Sequence, residues 1–193
     1  WLDCVVADTE TAINTLLNEF LHYPYLHRVE HSLHCELYHL LMQSGRLNQT
    51  LDWGTFRTRA VHKEWPEQIP VGAGRRRANH DLAILAPDDV LPNASLDDYC
   101  TGRIKPGSVI VLGLDCGIGH LRKDALTLKR NGVVHGYLVH FDRRNGKPDE
   151  KVEAGIRELM VHGLLDGIRV AYACVTPYKT RYRLLGDTEI KSL

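Results

Sequence analysis

The 193-residue chain predicts an α/β fold in which a mixed central sheet is flanked by helices. Three observations carry this. Two amphipathic helical segments open the chain, and strand-like and helix-like segments alternate from residue 107 onward. One strand, "SVIVLGLD" (108–115), is apolar on both faces, as in the middle of a sheet covered on both sides. The length suits one domain with a substantial core. It divides into a helical N-terminal part (1–45), a core (56–142) and a C-terminal extension (143–193).

Residues 9–21 place Ile13, Leu16, Leu17, Phe20 and Leu21 on one helical face, with Thr9 as N-cap. A second helix is predicted over 27–43, with Val29, Leu33, Leu37, Leu40 and Leu41 at helical spacing and Gly45 ending it. "FRTRAVHKEW" (56–65) is β-like, a Pro/Gly-rich connection follows, and a second strand is predicted near 79–85. Turn formers (Pro87, Asp88, Asp89, Pro92, Asn93, Pro106) make 86–106 an excursion between strands. After the central strand, 119–131 is helical through Leu121, Ala125 and Leu128, and "VVHGYLVHF" (133–141) is a strand. The turn "DRRNGKPD" leads to a helix over 149–164, using Val152, Ile156, Leu159 and Met160, and "GIRVAYACV" (167–175) is the fifth strand. Hairpins early and crossover helices later give a mixed sheet.

Several classes are excluded. No apolar run approaches the roughly 18 residues of a membrane helix, and nothing reads as a signal or transit peptide. The chain begins at Trp1, which leaves room for a preceding segment. Cys4, Cys35, Cys100, Cys116 and Cys174 are odd in number and far apart, against a disulfide framework or a structural zinc site, so a cytoplasmic setting is expected. The junction "GLDCGIGHL" lacks the G-x-G-x-x-G spacing of a dinucleotide site, and Asp115 would repel a pyrophosphate. Net charge is zero but uneven. Residues 1–56 carry two Lys/Arg against seven Asp/Glu, and 57–133 carry twelve against nine, so any polyanionic partner is expected on the core.

The chemistry centres on two acids. Asp81 stands at the start of one apolar strand and Asp115 at the end of the next, so on neighbouring strands both carboxylates reach one end of the sheet. Mg²⁺ takes hard oxygen ligands, one or two of them carboxylates. Glu36, or less favourably Glu30, on the second helix is placed to join them, and the carbonyl of Cys116 is a further oxygen ligand. Acids at strand ends also cap helices or face solvent, and this reading competes for each Asp alone.

The helix carrying Glu36, the hairpin with Asp81 in "RRRANHDLAIL", the strand ending in Asp115 and the segment "HLRKDALTLKRNGVVHGYLVHFDR" together resemble the PD-(D/E)xK nuclease superfamily over residues 27–142. The resemblance implies a restriction-endonuclease-like αβββαβ core, here with two N-terminal helices and a C-terminal αβ extension. It implies hydrolysis of phosphodiesters in nucleic acid, DNA above all, with Mg²⁺ or Mn²⁺ held by Asp81 and Asp115 and with Glu36 assisting. The family's lysine two residues after the second acid is replaced by Gly117. Either a cation comes from elsewhere, with Lys123 the first choice ahead of Arg122 and His120, or the fold binds nucleic acid or assembles with protein without cutting. A third possibility is an interaction domain whose two Asp are structural. Homodimerisation through the N-terminal helices is left open.

Other motifs have plainer roles that compete with a functional one. Arg75, Arg76 and Arg77 enter the Asp81 strand and are candidates to neutralise phosphates, as are His120 and Arg122, against a solubilising loop. His27, His31 and His34 recur on one helical face as a weak transition-metal candidate. "YKTRYR" (178–183) would give one basic and one aromatic face, as a nucleic-acid edge or as a charged edge strand that blocks sheet aggregation. Glu189-Ile190-Lys191 has the family's spacing but no helix after it, and reads as a solvated tail.

Overall fold

Apolar periodicity in the sequence becomes two cores, one on each face of a sheet. In a computed structural model the chain is described over residues 1–52, 56–66, 79–87, 95–100, 109–115, 118–165 and 167–193, with backbone alone at 109–115, 118–119 and 163–165. The elements are α1 (Leu2–His22), α2 (Glu30–Met42), β1 (Thr50–Asp52), β2 (Arg57–Arg59), β3 (Val61–Pro66), β4 (Asn79–Ile84), α3 (Leu96–Cys100), β5 (Val109–Asp115), α4 (Ile118–Arg130), β6 (His135–Arg143), α5 (Glu150–Leu165), β7 (Ile168–Val175), β8 (Thr180–Arg183) and β9 (Lys191–Ser192). The mixed α/β class is as the sequence predicts.

β1 and β2 form a two-stranded antiparallel pair, and β3 to β9 form one sheet in chain order. β3, β4 and β5 run antiparallel in turn, β5, β6 and β7 are parallel, and β8 and β9 return antiparallel. The parallel steps are bridged by α4 and α5, as such connections require. Alternation on β6 separates the cores: Tyr137, Val139 and Phe141 join Ile13, Leu16, Phe20 and Leu37 of α1 and α2, while Leu138 joins Leu128 and Ile156 of α4 and α5. Helices therefore cover both faces.

Local details differ from the sequence expectation. α1 starts at Leu2, so Thr9 lies inside the helix, donating its hydroxyl to the Val5 carbonyl at 2.7 Å, and is not its cap. α2 starts at Glu30, and residues 27–29 belong to the preceding connection. Within the excursion, Ser95 and Asp98 form a capping box around α3: the Asp98 N–H donates to Ser95 Oγ and the Ser95 N–H to Asp98 Oδ2, both at 3.1 Å. "YKTRYR" is not an edge, because β9 pairs outside β8. Its two arginines are also turned inward, while Lys179 is exposed: Arg181 is bound to Glu153 of α5, and Arg183 is buried and donates to the Val170 carbonyl. The segment Glu189-Ile190-Lys191 is no solvated tail, since Ile190 is buried in the second core and Lys191 pairs with Tyr182.

One glycine is required by its conformation. Gly167, at the α5–β7 turn, has φ +73°, and a Cβ there would lie 2.3 Å from the Val134 carbonyl oxygen. Among the described residues Cys4, Cys35, Cys100 and Cys174 are free thiols, and no helix is long and apolar enough to cross a membrane.

Candidate functional site

The β4–β5 pairing sets the geometry of the two acids. Leu82↔Val111, Ala83↔Ile110 and Ile84↔Val109 run antiparallel, so the start of β4 and the end of β5 lie at the same end of the sheet. Asp81 stands one residue beyond the Leu82↔Val111 pair, and Asp115 four residues beyond it. The two are on adjacent strands but not abreast, offset by three residues or roughly 10 Å along the strand. The register of β5 against β6 shifts between Leu112 and Leu114, an irregularity of the kind that re-aims a strand end.

A second irregularity faces Asp81. The pairs Lys63↔Leu82 and Trp65↔His80 bracket Glu64 and Asp81 across β3 and β4. Glu64 has φ 54°, the one non-glycine residue with positive φ among those described. Left-handed backbone within a strand is strained for such a residue.

α2 brings the nearest side chains. Arg143 of β6 holds the α1–α2 connection by donating to the carbonyls of Pro24 (3.0 Å), His27 (2.6 Å) and Arg28 (3.2 Å), with its guanidinium 5.7 Å over the Phe20 ring. This fixes where α2 begins. His34, one turn in, is 6% exposed. Its Nε2 lies 3.5 Å from Glu30 Oε1 and 3.9 Å from Asp81 Oδ2. Neither ring nitrogen makes a hydrogen bond, and Nε2 faces two carboxylates without closing on either.

Of the two acids that the sequence offers on α2, helix geometry favours Glu30 as the neighbour of Asp81. Glu36 lies about 200° round α2 from His34, on the side away from Asp81, whereas Glu30 is one turn before His34 on the same side. The three histidines do not converge either. His27 precedes the helix and bonds Glu19 at 2.7 Å, and His31 is exposed with its ring 6.3 Å from that of His34.

On the other side of β5, register pairs Asp115 with His140 of β6, which in turn pairs with Tyr172 of β7. His140 is 1% exposed, and its ring is stacked on Tyr172 with centroids 5.8 Å apart and planes at 10°. Its place in an apolar strand, "YLVHF", is the sequence signal that marks it. His80, beside Asp81, is fully buried with neither ring nitrogen hydrogen-bonded, and burial pushes its pKa down to about 4. It is neutral at pH 7.

The candidate cations fare differently. Arg122 is exposed on α4 and ion-paired with Glu158 of α5 at 2.5 Å, which takes it out of the role of an unpaired phosphate contact. Lys123 and His120 are exposed on the first turns of α4, the helix that follows Asp115. A lysine the sequence reading passed over is closer to the α2 side: Lys63, next to Glu64, directs Nζ to Cys35 Sγ at 3.7 Å. Arg75, Arg76, Arg77, Cys116 and Gly117 lie outside the described residues.

Among the described residues, no group of three or more His, Cys, Asp or Glu side chains is arranged to hold a metal ion. Glu30, Asp81 and His34 lie close together but do not form such a group; by chemistry the two carboxylates are hard oxygen donors and the imidazole a nitrogen donor. The side chain of Asp115, the second acid expected from the sequence, is not among those described. Comparison with protein-family models, with curated proteins and with solved structures finds no match to this chain.

Proposed function

We propose that this protein is a metal-dependent nuclease-like domain that hydrolyses phosphodiester bonds in nucleic acid, DNA being the expected form. One observation carries the reading: Asp81 and Asp115 occupy the same end of adjacent central strands, with α2 holding Glu30 and His34 over Asp81. The αβββαβ order of α2 to β6, leaving aside the short β1–β2 pair and α3, supports it. In this reading Asp81 and Asp115 hold Mg²⁺ or Mn²⁺, with Glu30 in the part expected of Glu36. When bound, the metal supplies Lewis acidity at the phosphate and lowers the pKa of water. Lys63 or Lys123 offsets charge on the phosphate in place of the lysine absent at Gly117, and His120 contacts the neighbouring backbone. The second reading, a module that binds nucleic acid without cutting it, is favoured by Gly117 and by the commitment of Arg122 to Glu158.

The test is calorimetric titration with Mg²⁺ and Mn²⁺ together with plasmid nicking, on the wild type, Asp81→Asn and Asp115→Ala. Binding and nicking in the wild type, with both lost in the two variants, support the nuclease. Binding without nicking supports the second reading. Absence of metal binding in the wild type overturns both the metal centre and the nuclease. Where nicking occurs, Lys63→Met and Lys123→Met identify the cation, with a loss on the order of a hundredfold expected for one of them.

A further inference from the structure

A cavity of about 440 Å³ opens away from the acid site, at the end of the sheet where β7 begins and β8 ends. Its size falls within the roughly 300–1,000 Å³ of small-molecule sites. Met160, Val170 and Leu185 give it apolar walls, and its polar lining includes two acids and two arginines. Three of those four charges are already matched. Arg169 is ion-paired with Glu10, which also accepts the Tyr137 hydroxyl at 3.1 Å. Asp187 accepts from Lys191 Nζ at 2.5 Å and from the Leu184 N–H at 3.1 Å.

Arg183 is the exception. It is 7% exposed, its Nη1 donates to the neutral Val170 carbonyl, and its Nε is buried without a hydrogen-bond partner. Burial weakens its hold on the proton, yet a guanidinium stays charged in proteins. Asp187 acts on Arg183 through its charge, but its carboxylate is hydrogen-bonded to Lys191 and to the Leu184 N–H. A buried cation with one neutral hydrogen-bond acceptor is costly to maintain, and an anion is its natural complement.

The lining indicates which anion. A carboxylate matches the planar donor fork of arginine two bonds at a time. Glu10 and Asp187, in the same walls, oppose the second negative charge of a phosphate. The apolar surfaces suit a hydrocarbon body. We propose that this cavity binds a small organic carboxylate, with the carboxylate on Arg183 and an apolar chain against Met160, Val170 and Leu185.

The experiment titrates the full chain with acetate, butyrate, hexanoate and inorganic phosphate, by calorimetry and by thermal melting. Affinity and melting temperature are expected to rise from acetate to hexanoate, with no binding of phosphate. Arg183→Gln is expected to weaken hexanoate at least tenfold, and Met160→Trp, which fills the cavity and keeps Arg183, to do the same. Asp115→Ala is expected to bind as the wild type does, which separates this site from the nuclease reading. Failure of every carboxylate to bind, phosphate binding as tightly as hexanoate, or unchanged affinity in Arg183→Gln overturns the proposal. If circular dichroism shows that Arg183→Gln does not fold, Met160→Trp decides, and unchanged affinity there overturns it. Binding of a peptide through its free C-terminal carboxylate, with none of hexanoate, also overturns the assignment to a small molecule.

Discussion

Two polar clusters on this sheet are built in opposite ways. Between β6, β7, β8 and α5 the charges close on one another. Glu153, 7% exposed, accepts from Arg181 Nε at 2.8 Å and Nη2 at 3.0 Å and from Arg157 at 3.0 Å, and Arg144 bridges Asp142 and Asp149. Beside α2 and β4, the contacts of His34 with Glu30 and Asp81 stop at 3.5 and 3.9 Å. The first cluster uses its hydrogen-bonding capacity to fasten α5 and β8 to the sheet. In the second, both ring nitrogens of the buried His34 are left without a hydrogen bond, although Nε2 faces two carboxylates.

The largest effect should come from breaking the first cluster. The Arg181 guanidinium holds the Glu153 carboxyl below the usual carboxylate range, because it bonds the charged form. A carboxyl depressed in the folded state contributes stability above its unfolded pKa and loses it as pH falls through the folded value. Glu153→Ala removes that contribution and strands Arg181, so urea unfolding at pH 7 should show a loss of about 3–5 kcal/mol. Asp81→Asn should change stability by less than about 1 kcal/mol. Equal losses in the two variants would erase the distinction.

A second effect sharpens the contrast through pH. His80 is buried and neutral beside Asp81, with a folded pKa of about 4 against an ordinary 6.5. Its depressed pKa stabilises the fold fully above pH 6.5. As pH falls from 6.5 to 4 the unfolded chain takes up a proton that the native state refuses, and up to about 3 kcal/mol is lost. His62, also lowered by burial, adds to the slope. Urea midpoints at pH 7, 5.5 and 4.5 should fall steadily in the wild type. In His80→Leu most of that fall should disappear, and a variant that keeps the full slope would assign it to other groups. The acid loss from Glu153 sets in lower, so the window between pH 6.5 and 4.5 belongs to the histidines.

How much of this was legible in the sequence depends on the range of the interaction. The central strand and both crossover helices were readable because Val109–Asp115, Leu121, Leu128 and Ile156 carry local apolar periodicity. The placement of Asp81 and Asp115 at one end of the sheet followed from antiparallel neighbours, but their three-residue offset comes from β4–β5 register, which no single segment encodes. Glu30 and Glu36 lie on one helix, and the sequence alone does not say which faces the sheet. Which of them turns toward Asp81 depends on how Arg143, 113 positions beyond Glu30, seats the connection before α2. The face of "YKTRYR" was misjudged for a similar reason: its arginines meet Glu153 and Val170, both distant in sequence. The start of α3 was different, since Ser95-Leu96-Asp97-Asp98 spells a local capping signal that the surrounding prolines and asparagine outweighed.

The smallest effect bears most directly on whether the looser cluster is a site. If His34 is only a core residue, its two unpartnered nitrogens are a defect, and His34→Leu should stabilise the chain by about 1 kcal/mol with no other consequence. If the space it shares with Glu30 and Asp81 belongs to a metal centre, the same substitution should stabilise by a similar amount and also weaken Mn²⁺ binding about tenfold, as loss of a supporting side chain does. Mg²⁺, which has less use for a nitrogen donor, should respond less. Calorimetric titration of both ions into the wild type and His34→Leu separates these outcomes. A destabilisation of more than about 2 kcal/mol would show instead that His34 holds α2 to β4 as Arg181 holds β8 to α5, and the two clusters would then be one kind of structure.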